Sequence, residues 1–198
     1  MNSKSRINQV DDLPLRCEAA SVWGLWFRQN HASSTGIWLQ IAKKGAAEQT
    51  VSYPQALETA LCFGWIDGQK KSHSDDFWLQ RFTPRGPKSI WSKVNRDKAL
   101  RLIDTGQMQT AGLREVERAQ RDGRWEAAYD PQSSATIPAD LQAVLDDMPV
   151  AKTFFATLNS QNRYAILFRI QTAKKAETRA KRIQQFAQML ARQEKIYP

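Results

Sequence analysis

The sequence has few of the residues that build metal and thiol chemistry. Its 198 residues include two cysteines, Cys17 and Cys62, and two histidines, His31 and His73. No two of them have the short spacing of a zinc site or of a redox pair. A glycine-rich phosphate loop is also missing, which argues against a nucleoside-triphosphate site. The sequence therefore predicts no metal and no cofactor.

Long apolar runs are absent as well. A membrane-spanning helix needs roughly 18–20 apolar residues in succession, and no window of the sequence approaches that length. The N-terminal stretch lacks the apolar core of a secretion signal. We therefore expect a cytoplasmic protein without a membrane span.

Negative charge is the scarcer sign. The chain has 29 Lys and Arg against 20 Asp and Glu, which gives a net charge of +9. The surplus of positive charge lies in residues 69–101 and 162–198. Because a basic balance favours anionic partners, the composition predicts an anionic small molecule or a nucleic acid as the ligand. The alternative is that these charges are only a solvated surface.

Two periodicities predict an α+β N-terminal domain. Alternating apolar residues indicate strands, and apolar residues at helical spacing indicate helices. Ser52 and Gln55 have the spacing of a capping box, and Gly64 suits the left-handed end of the helix that Ser52 begins. The pattern predicts a small antiparallel sheet of about three strands flanked by helices. The predicted strands begin at Ile37, Trp65 and Asp76.

The turn between the second and third predicted strands decides whether Asp67 has a cationic partner. With the three-residue turn His73–Ser74–Asp75, Asp67 lies opposite Arg81, and the two form a cross-strand ion pair. With a two-residue turn, Asp67 lies opposite Phe82 instead. We expect the first of these registers.

Two prolines break the chain in the corner Pro84–Arg85–Gly86–Pro87. Ser89 is then predicted to cap a helix that ends at Gly106. The N-terminus of such a helix presents free backbone N–H groups, and with Arg85 beside it this corner could hold an anion. The alternative is a capped helix with solvated basic side chains.

The remaining chain is predicted to be helical. Residues 130–138 have the composition of a linker, so we place an N-terminal domain at 1–131 and a C-terminal helical domain at 132–198. Ile183 and Leu190 lie on the apolar stripe of the last helix, and Arg179 and Arg182 are predicted to project outward from it. That basic face is either solvated or a docking surface for a protein partner.

Several long stretches resemble a known family. They are CFGWIDG (62–68), QRFTPR (80–85), SIWSKVN (89–95), DGRWEAAYD (122–130) and NRYAILFRIQTAK (162–174), followed by ETRAKRI. In these stretches the chain resembles the bacterial YdeI/OmpD-associated proteins, also labelled bacteriocin-protection proteins. The resemblance implies a role in envelope stress or in resistance to bacteriocins and antimicrobial peptides. It also implies a periplasmic setting, although no export signal is visible, and it transfers no catalytic residue.

Three functions remain open from the sequence. The first is a non-enzymatic binding protein with an aromatic and cationic cleft for an anionic ligand, in which single-stranded nucleic acid is the alternative ligand. The second is an enzyme that uses Asp67 or Cys62. The third is an interaction protein that docks a partner through its C-terminal helices. The predicted cleft residues are Trp65, Asp67, Arg81, Arg85, Trp91, Ser92 and Asn95.

Overall fold

A computed structural model describes residues 13–198 of the chain. Within these residues, four strands and eight helices follow one another. They are β1 (Leu15–Arg16), α1 (Ala20–Asn30), β2 (Ile37–Ala42), α2 (Tyr53–Cys62), β3 (Trp65–Ser72), β4 (Phe77–Pro84), α3 (Lys93–Asp104), α4 (Thr110–Arg121), α5 (Ala139–Asp146), α6 (Pro149–Thr157), α7 (Ser160–Gln171) and α8 (Ala176–Ala191). The predicted α+β class with a helical C-terminal region is confirmed.

The elements group into two compact units. The first, which we call the sheet unit, comprises the described chain up to Ser89 and Asn95–Trp125. The second, which we call the helical unit, comprises Ile90–Val94 and Glu126–Pro198. The short segment Ile90–Val94 therefore belongs with residues that follow it by more than thirty positions.

The sheet has four strands in the order β1-β2-β4-β3. The three predicted strands are β2, β3 and β4, and β4 runs antiparallel to both of its neighbours. The fourth strand, β1, is parallel to β2 and pairs Leu15 with Leu39. With two residues it is too short to show an alternating pattern, so the sequence could not predict it.

The predicted pairing of Asp67 with Arg81 is wrong. Asp67 lies opposite Phe82, and Arg81 lies opposite Trp38 of β2. The connection between Ser72 and Phe77 is longer than the three-residue turn that the prediction assumed, and the register shifts between Asp67 and Lys70. Because neighbouring residues of a strand point to opposite faces, Asp67 and Arg81 lie on different faces of the sheet.

A buried glutamine holds this irregularity in β3. Gln80 is 3% exposed, and its Nε2 donates to the carbonyl oxygens of Gly68 at 3.1 Å and Gln69 at 3.2 Å. A bulge adds one residue to one strand and reverses the alternation beyond it. Asp67 and Lys70 therefore lie on the same face although they are an odd number of positions apart.

Aromatic rings fill the space between this sheet and the helices α1 and α2. Trp23 and Phe27 of α1 are fully buried, as are Trp65 and Phe82 of the sheet. The Trp23 and Phe82 ring centroids are 5.6 Å apart, and those of Phe27 and Trp65 are 5.2 Å apart. Full burial of such a side chain stabilises the fold by roughly 1.5–3 kcal/mol, so this cluster anchors the hairpin of β3 and β4 to the helices.

The predicted helix caps have different outcomes. Ser52 and Gln55 form the expected capping box at the start of α2, and Gly64 has a φ of 74° after its end. Ser89, in contrast, does not cap α3, because that helix begins four residues later at Lys93. The segment that precedes α3 instead forms a parallel bridge between Ser92 and Tyr129, and the Lys93 N–H donates to the Tyr129 carbonyl at 2.9 Å.

The helical unit packs α5 to α8 around one apolar core. Leu141, Leu145, Ala151, Phe155, Leu158, Ile166, Leu167, Ile170, Ile183 and Leu190 form it. Arg179 does not project outward as predicted, because its guanidinium binds both carboxylate oxygens of Asp140 on α5, at 2.6 and 2.8 Å. Arg182 likewise donates to the Arg169 carbonyl of α7. These two arginines therefore join α8 to its neighbours.

The chain's last residues are tied to the helical unit by a buried asparagine. The Asn162 Oδ1 accepts the backbone N–H groups of Ile196 at 3.1 Å and Tyr197 at 2.9 Å. Its Nδ2 donates to the Tyr197 carbonyl at 3.2 Å. Across residues 13–198, no helix has the length and apolar character needed to cross a membrane.

Helices α2 and α4 approach each other most closely at a glycine. A Cβ atom at Gly112 would lie 2.4 Å from the Cys62 carbonyl oxygen and 2.7 Å from that of Leu61. We predict that Gly112→Ala lowers the free energy of unfolding by about 1–3 kcal/mol, because backbone cannot move aside as a flexible side chain can. Gly86→Ala is the control, since a Cβ there meets nothing within 4 Å. Chemical denaturation measures both, and equal stabilities would contradict the close approach.

Candidate functional site

A groove lined by lysines lies at one end of the sheet unit. It has a volume of about 690 Å³ and is formed by the end of β2 and by the facing ends of β3 and β4. We call it the lysine–tryptophan groove. Its lining residues are Ala42, Lys43, Lys44, Lys70, Lys71, Ser72 and Trp78.

The strand register places each β3 lysine against a tryptophan. Lys70 lies on the same face of the sheet as Trp78, and its Nζ is 4.3 Å from the ring centroid. Lys71 lies on the other face, where its Nζ is 4.1 Å from the ring centroid of Trp38. Each cation–π contact contributes about 0.5–1 kcal/mol at an exposed site. The two ammonium groups are therefore held close to aromatic faces.

The other two lysines come from the turn after β2. The Lys43 N–H donates to the Asp76 carbonyl at 2.7 Å, and its Nζ donates to the Ser74 carbonyl, also at 2.7 Å. Among the described residues, the lysines that form ion pairs are Lys93, Lys98 and Lys152, so all four groove lysines lack a carboxylate partner there.

This arrangement suits an anion that carries planar groups. The ammonium groups of Lys43, Lys44 and Lys70 repel one another, and an anionic ligand relieves that repulsion, whereas the Lys71 ammonium group lies over Trp38 on the other face of the sheet. Ammonium groups bind phosphate and carboxylate as point charges, and the face of an indole stacks on planar rings. The groove volume lies within the range that is usual for small-ligand sites.

Arg81 is the predicted site residue that lies near Lys71, on the face of the sheet that carries Trp38. Its guanidinium carbon is 5.7 Å from the ring centroid of Trp38, the ring that Lys71 also contacts. Asp67 lies on the other face of the sheet, which it shares with Lys70 and Trp78, and its Oδ2 accepts a hydrogen bond of 2.7 Å from the Tyr53 hydroxyl. The sheet thus separates these two predicted residues.

Trp65 and Arg85 are both enclosed within the sheet unit. The Trp65 indole N–H donates to the His31 carbonyl at 3.1 Å, and the ring belongs to the aromatic cluster behind the sheet. Arg85 is 5% exposed, and its Nη1 lies 3.4 Å from the Ser89 hydroxyl. A ligand on the open surface of the unit would not meet either side chain.

Further arginines hold the corner that contains Arg85. Arg118 donates to the Arg85 carbonyl at 3.1 Å and to the Gly86 carbonyl at 3.2 Å. Arg124 donates to the Ser89 carbonyl at 2.6 Å. Burial raises the pKa of Glu115 despite the nearby arginines, which act in the opposite direction. The anion site predicted at this corner therefore coincides with arginines that bind the protein's own carbonyl groups.

The other three predicted residues lie around the start of α3. Trp91 and Ser92 group with the helical unit, and Asn95, the third residue of α3, groups with the sheet unit. The Trp91 carbonyl accepts the Tyr129 N–H at 3.0 Å. A single cleft formed by all seven predicted residues stays a prediction.

The groove contains residues that the sequence reasoning did not select. Lys43, Lys44, Lys70, Lys71 and Trp78 are not among the predicted cleft residues. Lys43–Lys44 and Lys70–Lys71, two of the three Lys–Lys pairs in the sequence, are the signal that could have found the groove. They become neighbours because β4 pairs with both β2 and β3, which the sequence does not reveal.

Cys62, one of the two residues named for an enzymatic alternative, is poorly suited to act as a nucleophile. Cys62 is buried, and this burial together with the charge of Glu58 raises its pKa to about 11. Burial likewise raises the pKa of Cys17 to about 11. A thiol with such a pKa is almost entirely protonated at neutral pH, and the thiolate is the reactive form.

Two family models match the chain. The model described as "Domain of unknown function (DUF8412)" matches residues 15–115, just over half of the chain. The model described as "Bacteriocin-protection, YdeI or OmpD-Associated" matches residues 134–193, which form most of the helical unit. No curated protein and no solved structure matches the chain.

The burial of both thiols can be tested directly. We predict that neither Cys17 nor Cys62 reacts with a disulfide reagent in the folded protein at pH 8, and that both react after denaturation. The absorbance of the released thiol measures this. A Cys17→Ser variant isolates Cys62, and rapid reaction of that variant while folded would restore Cys62 as a candidate nucleophile.

Proposed function

We propose that this protein, which belongs to the family described as Domain of unknown function (DUF8412), is a binding protein for an anionic ligand with planar groups. Its residues 134–193 match the family described as bacteriocin-protection, YdeI or OmpD-associated. The C-terminal match suggests a protective or stress-related role at the level of the family. Binding rather than catalysis is the part that we assign to this chain.

The proposal rests on the composition of the lysine–tryptophan groove. The lysine–tryptophan groove combines four lysines with a tryptophan and lies within a single compact unit. The net charge of +9 favours anions over the whole chain, but it does not select one surface. The groove selects a surface, because Trp78 and Lys70, whose Nζ is 4.3 Å from the centroid of that ring, line one volume together with Lys43 and Lys44.

Single-stranded nucleic acid is the ligand class that has both required properties. Its phosphates match the ammonium groups, and its unpaired bases can stack on the uncovered part of the half-buried Trp78 ring. On the other face of the sheet, Lys71 and Arg81 place two further cations beside Trp38. We therefore favour a short single strand over a small anion without rings.

Three further predictions accompany this proposal. The protein acts in the cytoplasm, and the functional division falls between residues 1–131 and 132–198. A protein partner that docks through α5 to α8 remains the alternative mode of action. Because Arg179 and Arg182 bind groups of neighbouring helices, such a partner would meet less of the basic face than the sequence indicated.

The decisive experiment changes two groove lysines. Fluorescence anisotropy of a labelled oligothymidylate measures its affinity for the wild type and for Lys70→Gln/Lys71→Gln, at low and at physiological salt. We predict saturable binding by the wild type that weakens with added salt. The variant should bind at least tenfold more weakly, and the slope of log affinity against log salt should fall by about 0.7 for each lysine that contacts a phosphate.

A matched variant controls for net charge. Lys174→Gln/Lys175→Gln removes the same charge from two exposed residues just before α8, and it should bind like the wild type. Equal losses in both variants would mean that only overall charge matters, and the groove would then not be the site. Inorganic polyphosphate carries phosphates without planar rings, so it tests whether base stacking contributes to affinity. Competition as strong as that of unlabelled oligothymidylate would rule out base stacking.

A further inference from the structure

A second groove in the sheet unit has a different chemical character. It has a volume of about 410 Å³ and lies between α1, α2 and the chain that follows α3. Cys62, Phe63 and Leu102 give it an apolar floor. No residue of this groove belongs to the lysine–tryptophan groove.

The walls of this second groove are rich in uncharged hydrogen-bonding groups. They include the side chains of Gln55, Thr59, Gln107 and Gln109. The Gln55 Oε1 accepts from Ser52, the Thr59 hydroxyl donates to the Gln55 carbonyl, and the Nε2 groups of Gln107 and Gln109 donate to Thr105 and to the Gln107 carbonyl. The Gln55 Nε2 can still donate, and the Gln107 and Gln109 Oε1 atoms and the Thr59 hydroxyl oxygen can still accept. Side chains of this kind suit ligand hydroxyl groups, which also donate and accept.

The one carboxylate among the lining residues already has cationic partners. The Glu58 Oε1 lies 2.9 Å from the Lys98 Nζ and also binds Arg101. A ligand ammonium group would have to compete with both side chains. The groove is therefore a poor site for an amino acid or an amine.

Arg28 supplies a cation without such a partner. It is exposed and lines the groove, and no carboxylate among residues 13–198 lies within ion-pair distance of it. A guanidinium presents forked donors that match a carboxylate or a phosphate. The groove can therefore take one anionic group at Arg28.

Gly24 is a buried residue in the wall of the groove. It lies inside α1, where glycine is less favourable than any residue other than proline. A Cβ there would lie 3.9 Å from both the Arg28 Nη2 and the Thr59 Cγ2, which is ordinary contact, so packing does not demand a glycine. The missing side chain leaves space beside the guanidinium.

We propose that this groove binds a small polyhydroxylated molecule with one anionic group, of the kind that sugar phosphates and sugar acids represent. The anionic group binds Arg28 in the space beside Gly24. The hydroxyl groups bind the amide side chains and Thr59, and the apolar face of the ring lies on the floor.

Calorimetric titration with three probes tests this site. Glucose 6-phosphate and glucuronate carry the two kinds of anionic group, and glucose is the neutral control. We predict that at least one of the anions binds saturably and at least tenfold more tightly than glucose. Arg28→Gln should remove that preference, and because Arg28 is exposed this variant should fold normally.

Two more variants locate the ligand. Gly24→Leu should fill the space and abolish binding, whereas Gly24→Ala should retain it and keep the helix stable. Lys70→Gln/Lys71→Gln should bind the probes like the wild type, so the two proposed sites can fail separately. Absence of binding by every probe, or binding indifferent to Arg28→Gln, would overturn the proposal.

Discussion

The hydrogen bonds from Gln80 to the bulge in β3 determine how the sheet unit presents its charges. The Gln80 amide donates to the carbonyl oxygens of Gly68 and Gln69, at the point where the ladder between β3 and β4 is interrupted. The bulge shifts the register so that Lys70 and Lys71 reach Trp78 and Trp38, on opposite faces of the sheet. An unbulged strand would exchange the faces of these two lysines.

The aromatic cluster stabilises the strands that carry the like charges of the groove, so the fold withstands the repulsion between the lysines. Trp65 anchors the start of β3 and Phe82 anchors β4, and both rings are fully buried against α1 and its neighbours. The lysines lie at the other end of the hairpin, where solvent screens their repulsion. Stability and binding are thus supplied by opposite ends of the same two strands.

The sequence was sufficient where structure depends on local chemistry. The capping box of α2, the three longer strands and the apolar stripe of α8 all follow from neighbouring residues, and all three are confirmed. The sequence was insufficient where a residue from a distant part of the chain makes the deciding contact. Tyr129 holds the chain that Ser89 was expected to cap, and Asp140 binds Arg179 from another helix. The groove was missed for the same reason, since its lysines meet only through the order of the strands.

The position of the two lysine side chains is the most direct test of this account. Carbon-resolved NMR spectra of the lysine Hε protons report on it, because indole ring currents move protons above the ring upfield. We predict that Lys70 and Lys71 give Hε signals upfield of those of Lys174 and Lys175, and that only the first pair moves when oligothymidylate is added. Signals of Lys70 and Lys71 that coincide with the control lysines, or that do not respond to the oligonucleotide, would contradict it.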